Sequence, residues 1–308
     1  MPDNKIIQSP VIFGEVLFDC FPDGQNILGG APFNVAWHLT GFGANPRFIS
    51  RIGKDNAGDS IARLMQQWHM DAGLVQRDEN HPTGTVKITL NHGQPSFEIV
   101  PEQAYDYIEY APIKNAIATH TPPLLYCGSL IRRSDTSRHT LEQLISNKIP
   151  LFVDINLRSP WWKKQDALEL LSKARWVKLN NDELALLTDT KINNNTIDEV
   201  ADKFRQQHNI ELLIVTLGAD GAIIVVDKQQ HKSPTPEVSQ LVDTVGAGDA
   251  FSSVIVTGIL QQWPVDIMLE RALHFAALIC AQHGATAINH DMYEQLKTKW
   301  KLDVSKNR

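Results

Sequence analysis

Beyond residue 123 the sequence alternates between short apolar segments and longer amphipathic ones, a pattern that few architectures can accommodate. The apolar segments predict strands at residues 124–127, 151–155, 176–179 and 212–217. The segments between them predict helices at residues 134–146, 163–172, 182–187 and 197–208. Strands and helices that alternate in this way form a parallel sheet with helices on both faces. We therefore predict an α/β fold.

The N-terminal part of the chain shows the same rhythm with one interruption. A hairpin is predicted from residues 85–90 and 96–100, where apolar and polar side chains alternate on either side of a turn at residues 91–94. Before the hairpin we predict a strand at residues 11–18, a helix that begins near residue 35, a strand at residues 47–52 and a helix near residues 57–69. After residue 217, residues 221–242 are predicted to form strands with a turn at Asp227–Gln230, and residues 248–300 are predicted to be mostly helical.

The composition is typical of a globular protein, with 43% hydrophobic and 21% charged residues. The net charge of −6 gives no broad basic field, so we expect no nucleic-acid or membrane partner. The three cysteines, Cys20, Cys127 and Cys280, lie far apart and lack CxxC spacing, which favours reduced thiols over a disulfide framework. With no apolar run long enough to span a membrane and no signal-like N-terminus, we expect a cytoplasmic protein.

In an open parallel sheet, ligands bind beyond the carboxyl ends of the strands, where the chain turns into helices. Several polar residues and glycines directly follow apolar runs and are therefore expected to meet at this edge. They are Asp19, Gly128, Asp154, Asn180, Gly218 and Gly246.

The strongest chemical signal is the run DTVGAGDAF at residues 243–251, which precedes an apolar helical segment. Two glycines let the backbone approach a ligand closely, and a helix N-terminus directs N–H groups at it, so the run predicts an anion site. Asp249 falls in the first helical turn, where its carboxylate could accept a proton from a bound hydroxyl. The same residues would also suit an ordinary turn and helix cap. Because Phe251 replaces the last glycine, the run is not a GxGxxG fingerprint.

The run DTVGAGDAF resembles the C-terminal signature of the PfkB (ribokinase-like) carbohydrate kinases, and GGAPFNVAWHLTGFGANPRFISRIGKDNAGDSI resembles their N-terminal signature. Further motifs agree in order and spacing over nearly the whole chain. The resemblance implies one ribokinase-like three-layer αβα domain over residues 1–308, with a mostly parallel central sheet. It also implies a small, discontinuous β lid from about residues 19–28 and 84–101, and an enzyme that uses ATP to phosphorylate a sugar.

The resemblance assigns the catalytic residues. It implies that Asp249 is the base that deprotonates the acceptor hydroxyl, and that Gly246, Ala247 and Gly248 form an anion hole for the γ-phosphate. It also implies that Arg158, in the run DINLR, lies near the phosphate and the substrate. A guanidinium can neutralise phosphate charge, although a surface salt bridge is the alternative for this residue.

The resemblance also assigns the binding residues. The implied sugar-binding residues are Asp19, Gly29, Gly30, Asn34, Phe97 and Asp154. The implied nucleotide-binding residues are Asn180, Thr216, Gly218, Gly221, Gly248 and Asn289. Asn180 and Glu183 are implied to organise Mg²⁺ through water, and Asp243, Thr244 and Gly284 to hold a monovalent cation such as K⁺. The structural alternative for Asn180 and Glu183 is a capping box, and for the residues of the monovalent-cation site it is turn formation.

The runs GGAPFNVAWHL and DINLRSPWW most resemble the fructokinase branch of the family, which implies fructose, phosphorylated at its 6-hydroxyl, as the leading substrate. Ribose, 2-keto-3-deoxygluconate and a nucleoside remain alternatives within the class. A catalytically silent sugar-sensing relative is an alternative from another class. Exposed strands of the lid would also allow two subunits to pair as a homodimer.

Overall fold

The structure is a computed structural model that describes residues 9–91, 94–119, 121–193, 195–227, 229–237 and 241–302. Its strands are β1 (Val11–Phe13), β2 (Leu17–Cys20), β3 (Asn26–Gly29), β4 (Arg47–Gly53), β5 (Val75–Asp78), β6 (Gly84–Asn91), β7 (Gln94–Ile99), β8 (Leu125–Gly128), β9 (Leu151–Asp154), β10 (Trp176–Asn180), β11 (Leu212–Thr216), β12 (Ala222–Val226) and β13 (Gln229–Ser233). Its α-helices are α1 (Ala31–Gly41), α2 (Asn56–Gln67), α3 (Lys114–Thr119), α4 (Asp135–Ser146), α5 (Lys164–Leu171), α6 (Asn181–Thr188), α7 (Ile197–Gln207), α8 (Ala247–Gln261), α9 (Val265–Cys280) and α10 (His290–Trp300).

The larger sheet has nine strands in the order β13-β12-β11-β10-β9-β8-β1-β4-β5. The pairs from β11 through β8 and β1 to β5 are parallel, whereas β12 and β13 are added antiparallel at one edge. The predicted mostly parallel sheet is therefore confirmed. Among the described residues, none of the helices combines the length and the apolar character that crossing a bilayer requires.

Helices cover both faces of this sheet, because successive side chains of a strand point to opposite faces. In β1, Ile12 belongs to one hydrophobic core, and Val11 and Phe13 belong to the other. The core that contains Ile12 is shared with α1, α2, α8, α9 and α10, and the other core with α3, α4, α5, α6 and α7. The chain thus forms three layers, as predicted.

A second, smaller sheet has the strand order β3-β2-β6-β7. Strands β2 and β6 pair in parallel, and the outer pairs β2–β3 and β6–β7 are antiparallel. The predicted hairpin is present as β6 and β7, although residues 92 and 93 of its turn lie outside the described residues.

The predicted single strand at residues 11–18 is wrong, because the chain leaves the large sheet after Phe13 and enters the small sheet at Leu17. The change of sheet occurs at Gly14, where a Cβ atom would stand only 2.4 Å from Cγ of Pro32 in the first turn of α1. The prediction of strands throughout residues 221–242 also extends too far. Strand β13 ends at Ser233, and residues 234–237 are in no strand.

Candidate active site

The run GAG forms the start of α8. Gly246 is the N-cap residue with φ of 79°, in the left-handed region that favours glycine, and a Cβ atom there would lie 2.3 Å from Cβ of Ala285. The amide of Ala250 donates to the carbonyl of Gly246, which begins the helix. The first N–H groups of a helix lack intrahelical acceptors, although the amide of Ala247 donates to the carbonyl of Thr244 at 3.3 Å. The anion hole stays a prediction.

Asp249 lies in the first turn of α8 and is partly buried. Asn34 Nδ2, on α1, donates a hydrogen bond of 2.7 Å to Asp249 Oδ2. Burial raises the pKa of Asp249 to about 7, opposed by the Asn34 hydrogen bond and by the positive charges of Lys178 and Arg158. A carboxylate with a pKa near neutrality is suited to accept a proton from a hydroxyl.

Asp19 lies in β2, and burial raises its pKa to about 6, while the charge of Arg158 opposes that shift. Because Arg158 acts on both Asp19 and Asp249, the structure brings these three predicted residues to one place. Gly29 leaves the Asp19 carboxylate uncovered, since a Cβ atom on Gly29 would stand 3.3 Å from Asp19 Oδ2. The site therefore has two carboxyl groups and a guanidinium whose charge acts on both.

Asn34 is 4% exposed. Besides its predicted place among the sugar-binding residues, it is the hydrogen-bond donor to Asp249, which sequence reasoning did not predict. Its Oδ1 is buried and has no hydrogen-bond partner within the described residues. That oxygen can accept a hydrogen bond from a sugar hydroxyl. Gly30, the N-cap of α1, lets this helix approach the main chain, because a Cβ atom there would lie 2.7 Å from the carbonyl oxygen of Glu15.

Asp154, predicted to contact the sugar, is only 4% exposed. Its Oδ1 accepts from Lys178 Nζ at 2.8 Å, and its Oδ2 accepts from the Tyr126 hydroxyl at 2.8 Å and from Ser252 Oγ at 2.5 Å. Both oxygens are thus bonded to protein donors rather than directed at a substrate. One signal could have identified Lys178, because it is a charged residue inside the buried strand β10.

Asn180 and Glu183 form a capping box at the start of α6. Asn180 Oδ1 accepts from the amide of Glu183 at 2.8 Å, and Glu183 Oε2 accepts from the amide of Asn180 at 2.9 Å. Glu183 Oε1 accepts from the amide of Leu157 at 3.0 Å, so this carboxylate also holds the loop that carries Arg158. Each carboxylate oxygen keeps a second lone pair that could accept from a water, and the role of Asn180 and Glu183 toward Mg²⁺ stays a prediction.

The two segments predicted to hold a monovalent cation lie side by side. Asp243 Oδ2 accepts from the amide of Gly284 at 3.2 Å, and its Oδ1 accepts from the amide of Val245 at 2.9 Å. Thr244 is exposed on the same turn. Groups of three or more His, Cys, Asp and Glu side chains that could hold a metal are absent from the described part of the chain, so a cation here would rely on backbone oxygens.

Four of the predicted nucleotide residues lie on two segments of the chain. Thr216 ends β11 at the same sheet edge as Asn180, and Gly218 and Gly221 form the turn that follows. Asn289 caps α10, where its Oδ1 accepts from the amide of Met292 at 3.2 Å, as in an ordinary helix cap. The site roles of these residues stay predictions.

Phe97, predicted to pack on the sugar, lies on β7 and is 59% exposed. Its cross-strand neighbour is Ile88 on β6. An aromatic ring with this exposure has most of its surface available to a ligand or to another protein surface.

Arg133, whose side chain is 3% exposed, is a residue that sequence reasoning did not find. It donates to both oxygens of Asp106 at 2.7 Å and to the carbonyl of Val100, just after β7, at 2.8 Å. Its guanidinium lies 4.8 Å from the ring centre of Trp161, whose amide donates to the carbonyl of Arg158. Arg133 therefore ties the end of the small sheet to the loop of Arg158.

Glu15 is a second buried residue outside the predicted set. It follows β1, is 3% exposed, and its Oε2 has no hydrogen-bond partner among the described residues. Burial raises the pKa of Glu15 to about 7, and the charge of Asp249 adds to the shift. Its place in the run VIFGEVLF, a single carboxyl group among apolar residues, is the signal that could have identified it.

Comparison with known proteins gives consistent likenesses. Residues 20–292 match the model of a family described as pfkB family carbohydrate kinase. A fructokinase of Escherichia coli is 29% identical over 262 residues, which cover 80% of this chain and 83% of that protein. The fold is similar to that of a fructokinase with bound ATP from Xylella fastidiosa, with a TM-score of 0.83, 22% identity, and coverage of 96% of this chain and 100% of the other. A fructokinase of Vibrio cholerae O395, solved with fructose, ADP and a potassium ion, has a TM-score of 0.76 and 25% identity, covering 92% of this chain and 96% of the other.

Proposed function

The chain belongs to the pfkB family of carbohydrate kinases, and we propose that it transfers the γ-phosphate of ATP to the 6-hydroxyl of fructose. The family match and the likeness of fold confirm the ribokinase-like three-layer architecture that the sequence predicted. The proposal concerns the substrate and the residues that act on it. The observation that carries it is the 2.7 Å hydrogen bond between Asn34 and Asp249, which joins the predicted sugar side of the site to the predicted base.

In the proposed reaction, the sugar hydroxyl lies beside Asp249 and its oxygen attacks the γ-phosphorus of ATP. The bond from the γ-phosphorus to the bridging oxygen breaks, ADP leaves, and the hydroxyl proton moves to the Asp249 carboxylate. Gly246, Ala247 and Gly248 stabilise the transferring phosphoryl group with N–H groups at the start of α8. The raised pKa of Asp249 supports this role, because at neutral pH the carboxylate can both hold and release a proton.

Sugar binding is proposed for Asp19, Asn34 and Arg158. The carboxylate of Asp19 and the free Oδ1 of Asn34 can accept hydrogen bonds from hydroxyls, and Gly29 leaves space beside them. These polar groups favour a sugar over a nucleoside, whose base would require a more apolar pocket beside Asp19. Relatives named fructokinase support fructose over ribose and 2-keto-3-deoxygluconate.

Two ions belong to the proposal. Mg²⁺ would neutralise charge on the phosphates and would be held through water near Asn180 and Glu183. A monovalent cation would be held where the Asp243–Thr244 turn meets Gly284, and the potassium ion in the Vibrio cholerae fructokinase supports K⁺ as that cation.

The small sheet is proposed to act as a lid on a single domain that spans the chain. It carries Asp19 on β2 and the exposed Phe97 on β7, so its movement would cover the sugar and exclude water from the reaction. Among the described residues, its outer strands β3 and β7 each have one edge without a partner strand, to which a second subunit could add as a homodimer.

A substrate panel tests the proposed activity. ADP release should be measured with fructose, ribose, 2-keto-3-deoxygluconate and several nucleosides, and fructose should have the highest kcat/KM. A higher value for another compound would replace fructose as the substrate. ADP release that no sugar stimulates would instead favour the sugar-sensing alternative.

An Asp249→Asn variant tests the base. Asparagine keeps the size of the side chain and much of its capping ability but cannot take the proton, so kcat should fall by roughly 10²–10⁴-fold with ATP affinity retained. Asp266→Asn is a matched control, because Asp266 is an exposed acidic residue in the first turn of α9. Near-normal kcat in Asp249→Asn would remove Asp249 from the mechanism.

A further inference from the structure

A buried ion pair lies directly below the predicted anion hole. Lys178 on β10 and Asp154 on β9 are cross-strand partners, and Lys178 Nζ donates to Asp154 Oδ1 at 2.8 Å. Their side chains are only 10% and 5% exposed. Ion pairs as deeply buried as this one commonly cost more in desolvation than they return in attraction, so stability alone does not account for it.

Two contacts fix this pair against the first turn of α8. Lys178 Nζ stands 3.3 Å from the position that a Cβ atom on Gly248 would occupy, so the missing side chain of Gly248 makes room for the ammonium group. Ser252 Oγ contacts both Asp154 Oδ2, at 2.5 Å, and the carbonyl oxygen of Gly248, at 3.0 Å. The ammonium is thereby held next to the turn that carries Asp249.

We propose that Lys178 is a positioning residue whose buried ammonium keeps the carboxylate of Asp249 ionised, and that Asp154 anchors this ammonium beneath the glycine turn. The proposal rests on the proposed role of Asp249 as the base. It assigns Lys178 and Asp154 a joint function in the reaction, acting through Asp249 rather than by contact with the sugar.

Without a further positive group, the charges around Asp249 would disfavour its ionised carboxylate. The groups that face it are Glu15 after β1, Asn34 on α1, Tyr126 on β8, Asp154 on β9, Arg158 on the following loop and Lys178 on β10. The carboxylates of Glu15 and Asp154 disfavour a further negative charge, and burial disfavours it more strongly.

Lys178 and Arg158 are the positive charges that oppose these effects on Asp249. Arg158 also acts on Asp19, on the sugar side of the site, whereas Lys178 is fixed within the sheet by Asp154. Lys178 Nζ donates to Asp154 Oδ1 at 2.8 Å, and an opposite charge at that distance favours the charged ammonium. Lys178 is therefore a permanent positive charge beside the base.

Neutralising Lys178 and neutralising Asp154 should move the pH profile of kcat in opposite directions. The kcat of the wild-type kinase should fall at low pH as Asp249 becomes protonated. In Lys178→Met this acid limb should move to higher pH by about one unit, and in Asp154→Asn it should move to lower pH by about one unit, because removing a nearby positive charge raises the pKa of a carboxyl group and removing a nearby negative charge lowers it. At high pH, the kcat of Lys178→Met should return to the wild-type plateau.

The double variant Lys178→Met/Asp154→Asn is the matched control. It leaves neither charge buried alone, which protects folding, and its acid limb should return close to the wild-type position. Thermal melts of all variants identify a loss of fold, and Lys178→Gln gives a second neutral variant that keeps a donor for Asp154.

The proposal would be overturned if the acid limbs of Lys178→Met and Asp154→Asn moved in the same direction, or if the acid limb of Lys178→Met did not move. A loss of kcat in Lys178→Met that persists at every pH would also overturn it, because such a loss would indicate a structural role or direct contact with phosphate. Each of these results is compatible with Asp249 as the base. Near-normal kcat in Asp249→Asn, in contrast, would overturn the proposed base and this proposal together.

Discussion

Replacing Asn34 by alanine removes the hydrogen bond that most directly supports the ionised form of the base. The bond from Asn34 Nδ2 to Asp249 Oδ2 is 2.7 Å long, and Asn34 is 4% exposed, so water replaces it poorly. A hydrogen bond to a charged group contributes about 1.5–3 kcal/mol, and one pH unit corresponds to about 1.36 kcal/mol. We therefore expect the pKa of Asp249 to rise by about one to two units in Asn34→Ala.

This shift has a defined effect on turnover. With a pKa of about 7, Asp249 is roughly half ionised at neutral pH in the wild-type protein. In Asn34→Ala the ionised fraction at pH 7 should be about a tenth to a hundredth, so kcat should fall by about 5- to 50-fold and recover as the pH is raised. The KM for sugar should also rise, because the free Oδ1 of Asn34 is lost.

The assay is a pH profile of kcat, measured by ADP release at saturating ATP and sugar. Asn147→Ala is a matched control, since Asn147 is an exposed residue at the C-terminal end of α4, and its profile should equal that of the wild type. A lower kcat in Asn34→Ala with the acid limb unmoved would refute the argument. It would mean that Asn34 serves substrate binding or packing alone.

Further predictions concern the sugar, the ions, the glycine turn and stability. Asp19→Ala should raise the KM for sugar far more than the Kd for ATP measured by calorimetry, because sugar hydroxyls lose their acceptor; equal losses would contradict the assignment. Chelation of divalent cations should abolish ADP release, and a rate that the chelator leaves unchanged would contradict the magnesium assignment. K⁺ should raise the rate above that in tetramethylammonium, and a rate that K⁺ leaves unchanged would contradict only the monovalent site. Gly246→Ala should lower Tm by about 3 °C or more, since φ is 79° and the new Cβ would collide with Ala285; an unchanged Tm would show that the turn relaxes freely. Asp249→Asn should raise Tm relative to wild type by an amount that grows between about pH 4 and about pH 7. A carboxyl group with a raised pKa binds its proton more tightly in the folded state, so it destabilises the wild-type fold as the pH rises through that window. A difference in Tm that stays constant with pH would contradict the raised pKa.

Much of the fold could be predicted because its signals are local. Apolar spacing over a few residues identified the strands and helices of the large sheet, most of them within one or two residues of their observed ends. The rule that ligands bind at the carboxyl ends of parallel strands then placed Asp154, Asn180 and Gly246 at one edge. The division of residues 11–18 between two sheets could not be predicted, because it depends on contact between Gly14 and Pro32 of α1.

By itself the sequence determined the α/β class, the glycine turn before α8 and the residue types available for catalysis, since these follow from periodicity and short motifs. Only the tertiary structure decided which of those residues act on one another. Asn34 and Asp249 are 215 positions apart, and Ser252 and Asp154 are 98 apart, yet each pair is hydrogen-bonded. The pKa of a carboxyl group depends on burial and on nearby charges, and both are set by such long-range contacts. The chemistry predicted for Asp249 is therefore tuned by Lys178 and Asp154, side chains to which no local pattern connects it.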